Sequence, residues 1–226
     1  MAGGEGLRLR PLTETCPKPL LPVGGRPLLD TLIYCLGRSG FTRIYLVVRY
    51  LRERIEERYA AGHAFGVNDI RYLREPAPYG TAGGLTLIPK DERPTEPFLV
   101  VNADILTPLD FGAVMRYHVG QMHVLTLVRR RYTATIPHGW PVVRWGHVIR
   151  FEEKPARRYL VNSGIYCLNS GVLDTIPAGP CDMPDVIRSL CRGGRVGAYR
   201  LNAPFHEIGS VESYRAAEKF YEEHMR

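Results

Sequence analysis

The sequence has no uninterrupted apolar run near the ~20 residues that a membrane-spanning helix needs, so no span is expected. Its first residues, Met-Ala-Gly-Gly-Glu, show no basic region leading into an apolar one. No signal peptide is expected either, and the expected location is the cytoplasm. Cysteine is sparse. Cys16, Cys35, Cys167, Cys181 and Cys191 are odd in number, scattered and without Cys-x-x-Cys spacing, which reads as reduced thiols and not as a disulfide frame or zinc site. The seven histidines never fall into His-x-x-x-His or Glu-x-x-His spacing, so zinc catalysis is not expected. Gly-x-Ser-x-Gly is missing too, and with it the expectation of a covalent intermediate. Low-complexity tracts are absent, as are repeats with a period of roughly 20 to 50 residues.

What is present supports a substantial core. Of 226 residues, 45 % are apolar and 23 % charged. Thirty Lys and Arg against twenty-three Asp and Glu leave a net charge of +7, which suits anionic partners: nucleic acid, phosphorylated metabolites or an anionic surface. The run Arg129-Arg130-Arg131 lacks interleaved aromatics and a binding motif, so it reads as solvated surface at a strand end. Nucleic acid is not an expected partner.

Strand-like and helix-like patterns alternate through the first half, as in βαβ units with a mainly parallel sheet. Helices are expected over Leu28–Gly40, Leu51–Ala61 and Leu109–Val119, with another beginning at Thr81–Leu87. Buried strands are expected at Thr42–Val48, Ile70–Leu73 and Phe98–Val101. In the second half, His123–Arg129, Pro141–Arg144, His147–Phe151 and Ile165–Leu168 read as short strands of a smaller antiparallel layer. Helices follow at Asp185–Cys191 and Ser210–Glu223, the latter capped by Ser210 with Glu212 and Ser213 in its first turn. No linker breaks the pattern. One α/β domain over residues 1–226 is the expectation.

The densest motif opens the chain: Ala2-Gly3-Gly4-Glu5-Gly6-Leu7-Arg8-Leu9-Arg10-Pro11-Leu12-Thr13, then Pro17-Lys18-Pro19. Three glycines in four positions let backbone N–H groups converge on an anion without Cβ obstruction. Arg8 and Lys18 add fixed positive charge for the same oxygens. The loop is neither Gly-x-Gly-x-x-Gly nor a Walker motif. Read alone, it is equally a flexible tail with chance glycines. The Pro-Lys-Pro that follows favours the anion cradle.

With these residues in view the sequence resembles the sugar nucleotidyltransferases, in which a Gly-rich Arg-Leu loop and a Pro-Lys-Pro segment bind a nucleoside triphosphate. The likeness recurs in order along nearly the whole chain. It runs through Pro78-Tyr79-Gly80-Thr81-Ala82-Gly83-Gly84, Val101-Asn102-Ala103-Asp104, Phe151-Glu152-Glu153-Lys154-Pro155, Val161-Asn162-Ser163-Gly164-Ile165-Tyr166 and Glu207-Ile208-Gly209-Ser210. Within the family it is most similar to mannose-1-phosphate guanylyltransferase-like proteins. The resemblance implies a Rossmann-like, mainly parallel sheet flanked by helices, with a small antiparallel layer and a sugar-binding part spanning roughly residues 121–210. It implies EC 2.7.7-type chemistry: a sugar 1-phosphate joined to a nucleoside triphosphate, with Mg²⁺ as cofactor. Arg8 and Lys18 are then catalytic; Gly3, Gly4, Gly6, Glu75, Gly80 and Thr81 bind nucleotide; Gly139, Glu153, Lys154 and Asn162 bind the sugar phosphate; Asp104 and Glu207 hold the metal. A homo-oligomer is compatible with this reading.

Several of these positions have bland alternatives. Asp104 follows an apolar strand, where ligands of open α/β sheets collect, but a turn or cap residue is also found there. Glu153 and Lys154 are neighbours and reach one substrate only if the chain turns; otherwise they are a surface ion-pair doublet. Gly139 and Asn162 are equally simple turn residues. Glu75 accepts hydrogen bonds only, which suits the adjacent N1–H and 2-amino donors of guanine and repels the acceptors of uracil or thymine; the alternative is a surface pair with Arg74 or another base.

The chain departs from the family in three places. Relatives carry a short strand of ~5 residues directly before Ala-Gly-Gly, whereas here Met1 precedes Ala2. The expectation is a shortened chain in which two strands lose ladder partners, a groove opens at a cost of several kcal/mol, and the α-amino group lies near the phosphate site. Leu7 stands where the family has Thr or Ser, removing a hydroxyl worth about 0.5–1.5 kcal/mol. Glu207 replaces an Asp. These departures keep open a catalytically weak or inactive nucleotide-sugar-binding homologue.

Overall fold

The computed structural model describes residues 1–225. Two short strands, β1 (Pro22–Val23) and β2 (Arg26–Pro27), form a hairpin ahead of helix α1 (Leu28–Arg38), whose Leu29, Leu32, Ile33 and Leu36 face the core. Strand β3 (Arg43–Val48), helix α2 (Arg52–Arg58) and strand β4 (Asp69–Arg74) make a βαβ unit with parallel pairing from Arg43↔Asp69 to Val48↔Arg74. Strands β5 (Phe98–Val101) and β6 (Ile105–Leu106) lead into helix α3 (Phe111–Gly120). The second half contains β7 (Leu125–Thr135), β8 (Trp140–Arg144), β9 (His147–Glu152) and β10 (Ala156–Leu168), then helix α4 (Met183–Cys191), β11 (Val196–Arg200), β12 (His206–Glu207) and helix α5 (Val211–His224).

The main sheet runs β11–β7–β10–β5, with β11 parallel to β7 and β10 antiparallel to both neighbours. The α/β class with parallel strands flanked by helices holds. The antiparallel pairing of the second half enters this sheet through β10, while β8 and β9 form a separate hairpin. Both β7 and β10 exceed the short strands expected. Their outer halves, rich in Arg and Tyr, pair with each other and carry no apolar run to betray them. A shift of register between Asn162 and Tyr166 marks a bulge, with Gly164 at φ 75°. The helix expected from Thr81 is only a 3₁₀ turn over Gly83–Leu87, where two glycines disfavour helix and Pro89 follows. The Ser210 cap is as expected: its hydroxyl accepts from Ser213 N, and the Ser213 hydroxyl from Ser210 N. No helix among the described residues is long and apolar enough to cross a membrane.

Met1 and Ala2 bridge the parallel β3–β4 pair and the β5 edge of the main sheet. The Met1 ammonium donates to Val101 O at 2.8 Å, Ala2 N to Val47 O at 2.9 Å, and Ala103 N to Met1 O at 3.1 Å. Beyond Met1 the facing edges of β3 and β5 flank a cavity of about 240 Å³ lined by Leu29, Leu32, Ile33, Leu46, Leu73, Leu99 and Val101. This is the groove expected between two strands that lack ladder partners.

Burial lowers the pKa of the Met1 ammonium from 8.0 to about 6, against the opposing pull of Asp104 and Glu75. Between those values the unfolded chain binds the extra proton, so stability rises as pH climbs from 6 to 8 and is lost as pH falls through 6. This group alone contributes about 2.5 kcal/mol to the difference between pH 5.5 and 8.5. Urea unfolding of the native and N-acetylated proteins at both pH values checks it: the acetylated chain lacks that increment, and parallel behaviour of the two would refute the assignment.

Candidate functional site

The glycine loop closes on itself before it faces anything else. Gly6 O accepts from Leu9 N at 2.8 Å and from the Thr13 hydroxyl at 2.9 Å. Gly6 itself sits at φ 62°, a conformation that a side chain disfavours. Among the described residues no acceptor engages the N–H groups of Gly4, Glu5 or Gly6. They border a cavity of about 670 Å³ that also meets Arg8, Lys18, Arg49, Glu75, Gly80, Thr81, Asn102, Asp104 and Gly209. Unclaimed amides, three cations and a concave wall make an anion cradle.

Lys18 is placed by its neighbours. Flanking prolines restrict the backbone, Pro19 and Leu21 are buried, and a 3₁₀ turn over Lys18–Leu20 projects the ammonium inward. Its Nζ donates to Asp104 Oδ2 at 2.6 Å. Asp104 lies just past β5, as its position after an apolar run implied, and its Oδ1 is buried without a partner. An orphaned carboxylate oxygen beside a phosphate-sized cradle suits a hard divalent cation such as Mg²⁺, which takes one or two protein carboxylates and completes its shell with phosphate and water.

Glu75 follows β4 and is 6 % exposed. Its Oε1 is buried without a partner, and its Oε2 would lie 2.7 Å from a Cβ at Gly3, so a side chain there would push the carboxylate aside. Burial raises the carboxyl above its ordinary value, with Arg49 and the Met1 ammonium opposing. The pair with Arg74 does not form: Arg74 is taken by Glu56, through Nε at 2.8 Å and Nη2 at 2.9 Å.

Gly3, Gly4, Gly6, Arg8, Lys18, Glu75, Gly80, Thr81 and Asp104 therefore share one cavity. Thr81 also anchors its wall, because its N–H and hydroxyl both donate to Asp182 Oδ1 and its oxygen accepts from Met183 N. Leu7 lies at the same cavity, 58 % exposed, where a hydroxyl was expected to be lost. Three members that the sequence did not assign to the site are Arg49, Asn102 and Gly209. Arg49 follows β3 and grips Glu5 Oε1 with both terminal nitrogens at 3.2 and 3.1 Å. A basic residue just beyond a buried strand was the available signal.

The remaining residues do not converge there. Gly139 packs under Phe151 on the β8–β9 hairpin, so closely that a Cβ would lie 2.3 Å from that ring. Glu153 and Lys154 follow β9 on an exposed bend with Lys154 at φ 45°, so the required turn exists, yet neither lines the cavity. Asn162 sits at the β10 bulge, where its Nδ2 donates to the Tyr166 hydroxyl at 2.6 Å and its Oδ1 accepts from Gly164 N. Glu207 is opposite Ile105, and Ile208 N donates to Asp104 O at 2.8 Å, so its backbone adjoins Asp104. Its carboxylate accepts instead from Arg130 Nη2 at 3.2 Å. Arg130 thus corrects the reading of the arginine run as solvated surface: it is tucked against Phe205, 4.8 Å from the ring centre, with its side chain 20 % exposed.

A family profile described as nucleotidyl transferase matches residues 1–224. The chain belongs to the nucleotidyl transferase family. A mannose-1-phosphate guanyltransferase of Neurospora crassa is 31 % identical over 226 residues, 95 % of this chain and 61 % of that protein. A UTP–glucose-1-phosphate uridylyltransferase of Synechocystis is also 31 % identical, over 95 % of this chain and 60 % of its own length. The chain therefore spans about three fifths of these curated relatives. Among solved structures, HddC from Yersinia pseudotuberculosis complexed with GMP-PN superposes with a TM-score of 0.74 at 24 % identity, over 97 % of this chain and 96 % of that one. That likeness establishes the fold of the nucleotidyl transferase family for this chain.

Proposed function

We propose that this nucleotidyl transferase family member joins a sugar 1-phosphate to a nucleoside triphosphate, with GTP preferred. A phosphate oxygen of the sugar attacks the α-phosphorus, the bond to the β-phosphate oxygen breaks, and pyrophosphate leaves. The observation that carries this reading is the shared cavity, in which unclaimed glycine-loop amides, Arg8, Lys18 and an orphaned Asp104 oxygen face one another. Positioning and charge neutralisation are what such a transfer asks of a protein. The amides and Arg8 hold the phosphates, and Lys18 balances charge beside the α-phosphorus. Asp104 would hold Mg²⁺, with Glu207 as second ligand once released from Arg130; the ion supplies charge neutralisation on the phosphate oxygens.

Relatives named for guanyl and for uridylyl transfer are equally similar, so the base is argued from Glu75. Its unpartnered, acceptor-only carboxylate matches two adjacent donors on guanine. Pyrophosphate release from each of the four triphosphates with mannose 1-phosphate tests both reaction and base, and a clear UTP or dTTP preference overturns the base assignment. Glu75→Gln presents one donor and one acceptor instead. It is expected to lower kcat/KM for GTP by roughly tenfold to hundredfold relative to UTP, the worth of one hydrogen bond to a charged group.

A second reading, nucleotide-sugar binding without turnover, is favoured by the engagement of Glu207 with Arg130. It predicts nucleotide uptake with no pyrophosphate released under any condition.

A further inference from the structure

Glu75 has a cationic neighbour. β3 and β4 pair in register as far as Val48↔Arg74, and Glu75 N donates to Val48 O at 3.0 Å, so Arg49 and Glu75 stand side by side just beyond the two strands. Both border the glycine-loop cavity. Gly3 abuts both, since a Cβ there would lie 2.7 Å from Glu75 Oε2 and 3.4 Å from Arg49 Cβ, and a side chain would crowd the pair. Arg49 has donors to spare. Of the five N–H of a guanidinium, Glu5 Oε1 takes one from each terminal nitrogen, at 3.2 and 3.1 Å. The others, Nε–H included, meet no acceptor among the described residues. The charge of Arg49 also opposes the burial that would protonate Glu75, and only the ionised carboxylate is free of donors.

A carboxylate alone does not single out guanine, because it accepts equally from the amino group of adenine or cytosine. A donor fixed beside it does. Guanine presents the acceptor O6 next to its N1–H and 2-amino donors, whereas adenine carries an amino donor where guanine has O6. We infer that Arg49 is a base-specificity residue, donating to O6 of guanine while Glu75 accepts from N1–H and the 2-amino group. The inference rests on the nucleotidyltransferase reading with its guanine preference and deepens it. Adenine then meets Arg49 donor against donor and is rejected. Arginine suits the task, since its planar fork can reach O6 and N7 of one guanine together.

Calorimetric dissociation constants of the full chain for GTP, 6-thio-GTP, ITP, ATP and UTP test it. Sulfur at position 6 is a poor acceptor in place of O6, and ITP lacks only the 2-amino group. The wild type is expected to bind 6-thio-GTP roughly tenfold more weakly than GTP, the worth of one hydrogen bond from a charged donor. Arg49→Met is expected to bind both alike, at about the wild-type level for 6-thio-GTP, and to gain ATP relative to GTP. Its ratio of GTP to ITP stays that of the wild type, because Glu75 reads the 2-amino group. Arg49→Lys keeps the charge without the fork and falls between the two. Glu5→Ala cuts the tether to the glycine loop and leaves the guanidinium, so its ratio of GTP to 6-thio-GTP also stays that of the wild type. If Arg49 only tethers the loop, Arg49→Met and Glu5→Ala weaken every triphosphate by one common factor. That result, or a wild type indifferent to sulfur at position 6, overturns the inference and leaves the proposed reaction standing. Tighter uptake of UTP than of GTP overturns the base assignment with it, and no uptake of any triphosphate overturns the whole reading.

Discussion

Asp104→Asn is expected to lower pyrophosphate release by roughly two to three orders of magnitude, the scale set by removing one preorganised charge-stabilising group. The substitution keeps the size of the side chain and removes its charge. The buried Oδ1 that has no partner in the folded chain becomes half of an amide, a poor ligand for a hard cation. Lys18 loses its 2.6 Å partner at the same time. In the proposed reaction Lys18 and, through the cation, Asp104 serve the same phosphate oxygens, so the Asp104→Asn/Lys18→Ala double variant should cost far less than the product of the single effects. Glu56→Gln, which disturbs only the exposed pair with Arg74, is the control and should turn over normally. Steady-state kinetics decide the matter. An Asp104→Asn protein within threefold of wild type would remove Asp104 from the machinery.

The second large effect concerns stability. Joining an extended segment of about five β-branched and aliphatic residues ahead of Met1 is expected to raise the thermal midpoint by roughly 5–10 °C at pH 5.5. The facing edges of β3 and β5 offer backbone partners on both sides, and the cavity between them is lined mostly by apolar side chains. Burial of the added side chains offsets the ordering of the added backbone. Conversion of the Met1 ammonium to a peptide N–H then releases the cost of burying a charge whose pKa is held near 6, about 2.5 kcal/mol at this pH. A Gly-Ser extension of equal length, which removes the charge and fills nothing, separates the two contributions. Calorimetry should rank apolar extension above Gly-Ser and Gly-Ser above the native chain. Equal midpoints for the two extensions would show that the groove does not accept a strand.

Local arrangements were set by the sequence through neighbours along the chain. The loop from Gly3 to Gly6, the rigid placement of Lys18 between prolines, Asp104 at the end of an apolar strand, and the Ser210 cap each depend on residues a few positions apart. So does the alternation of β3, α2 and β4, because hydrophobic period and turn residues act over one element at a time. Tertiary structure alone decided the rest. Arg130 and Glu207 are 77 positions apart, and only the registers β7–β10 and β6–β12 bring them together. The isolation of Glu75, the grip of Arg49 on Glu5 across 44 positions, and the hold of Asp182 on Thr81 across 101 likewise follow from which strand lies beside which. Long pairings of this kind leave no periodic trace, since a charged residue on a strand looks the same in sequence whether it meets water or a partner.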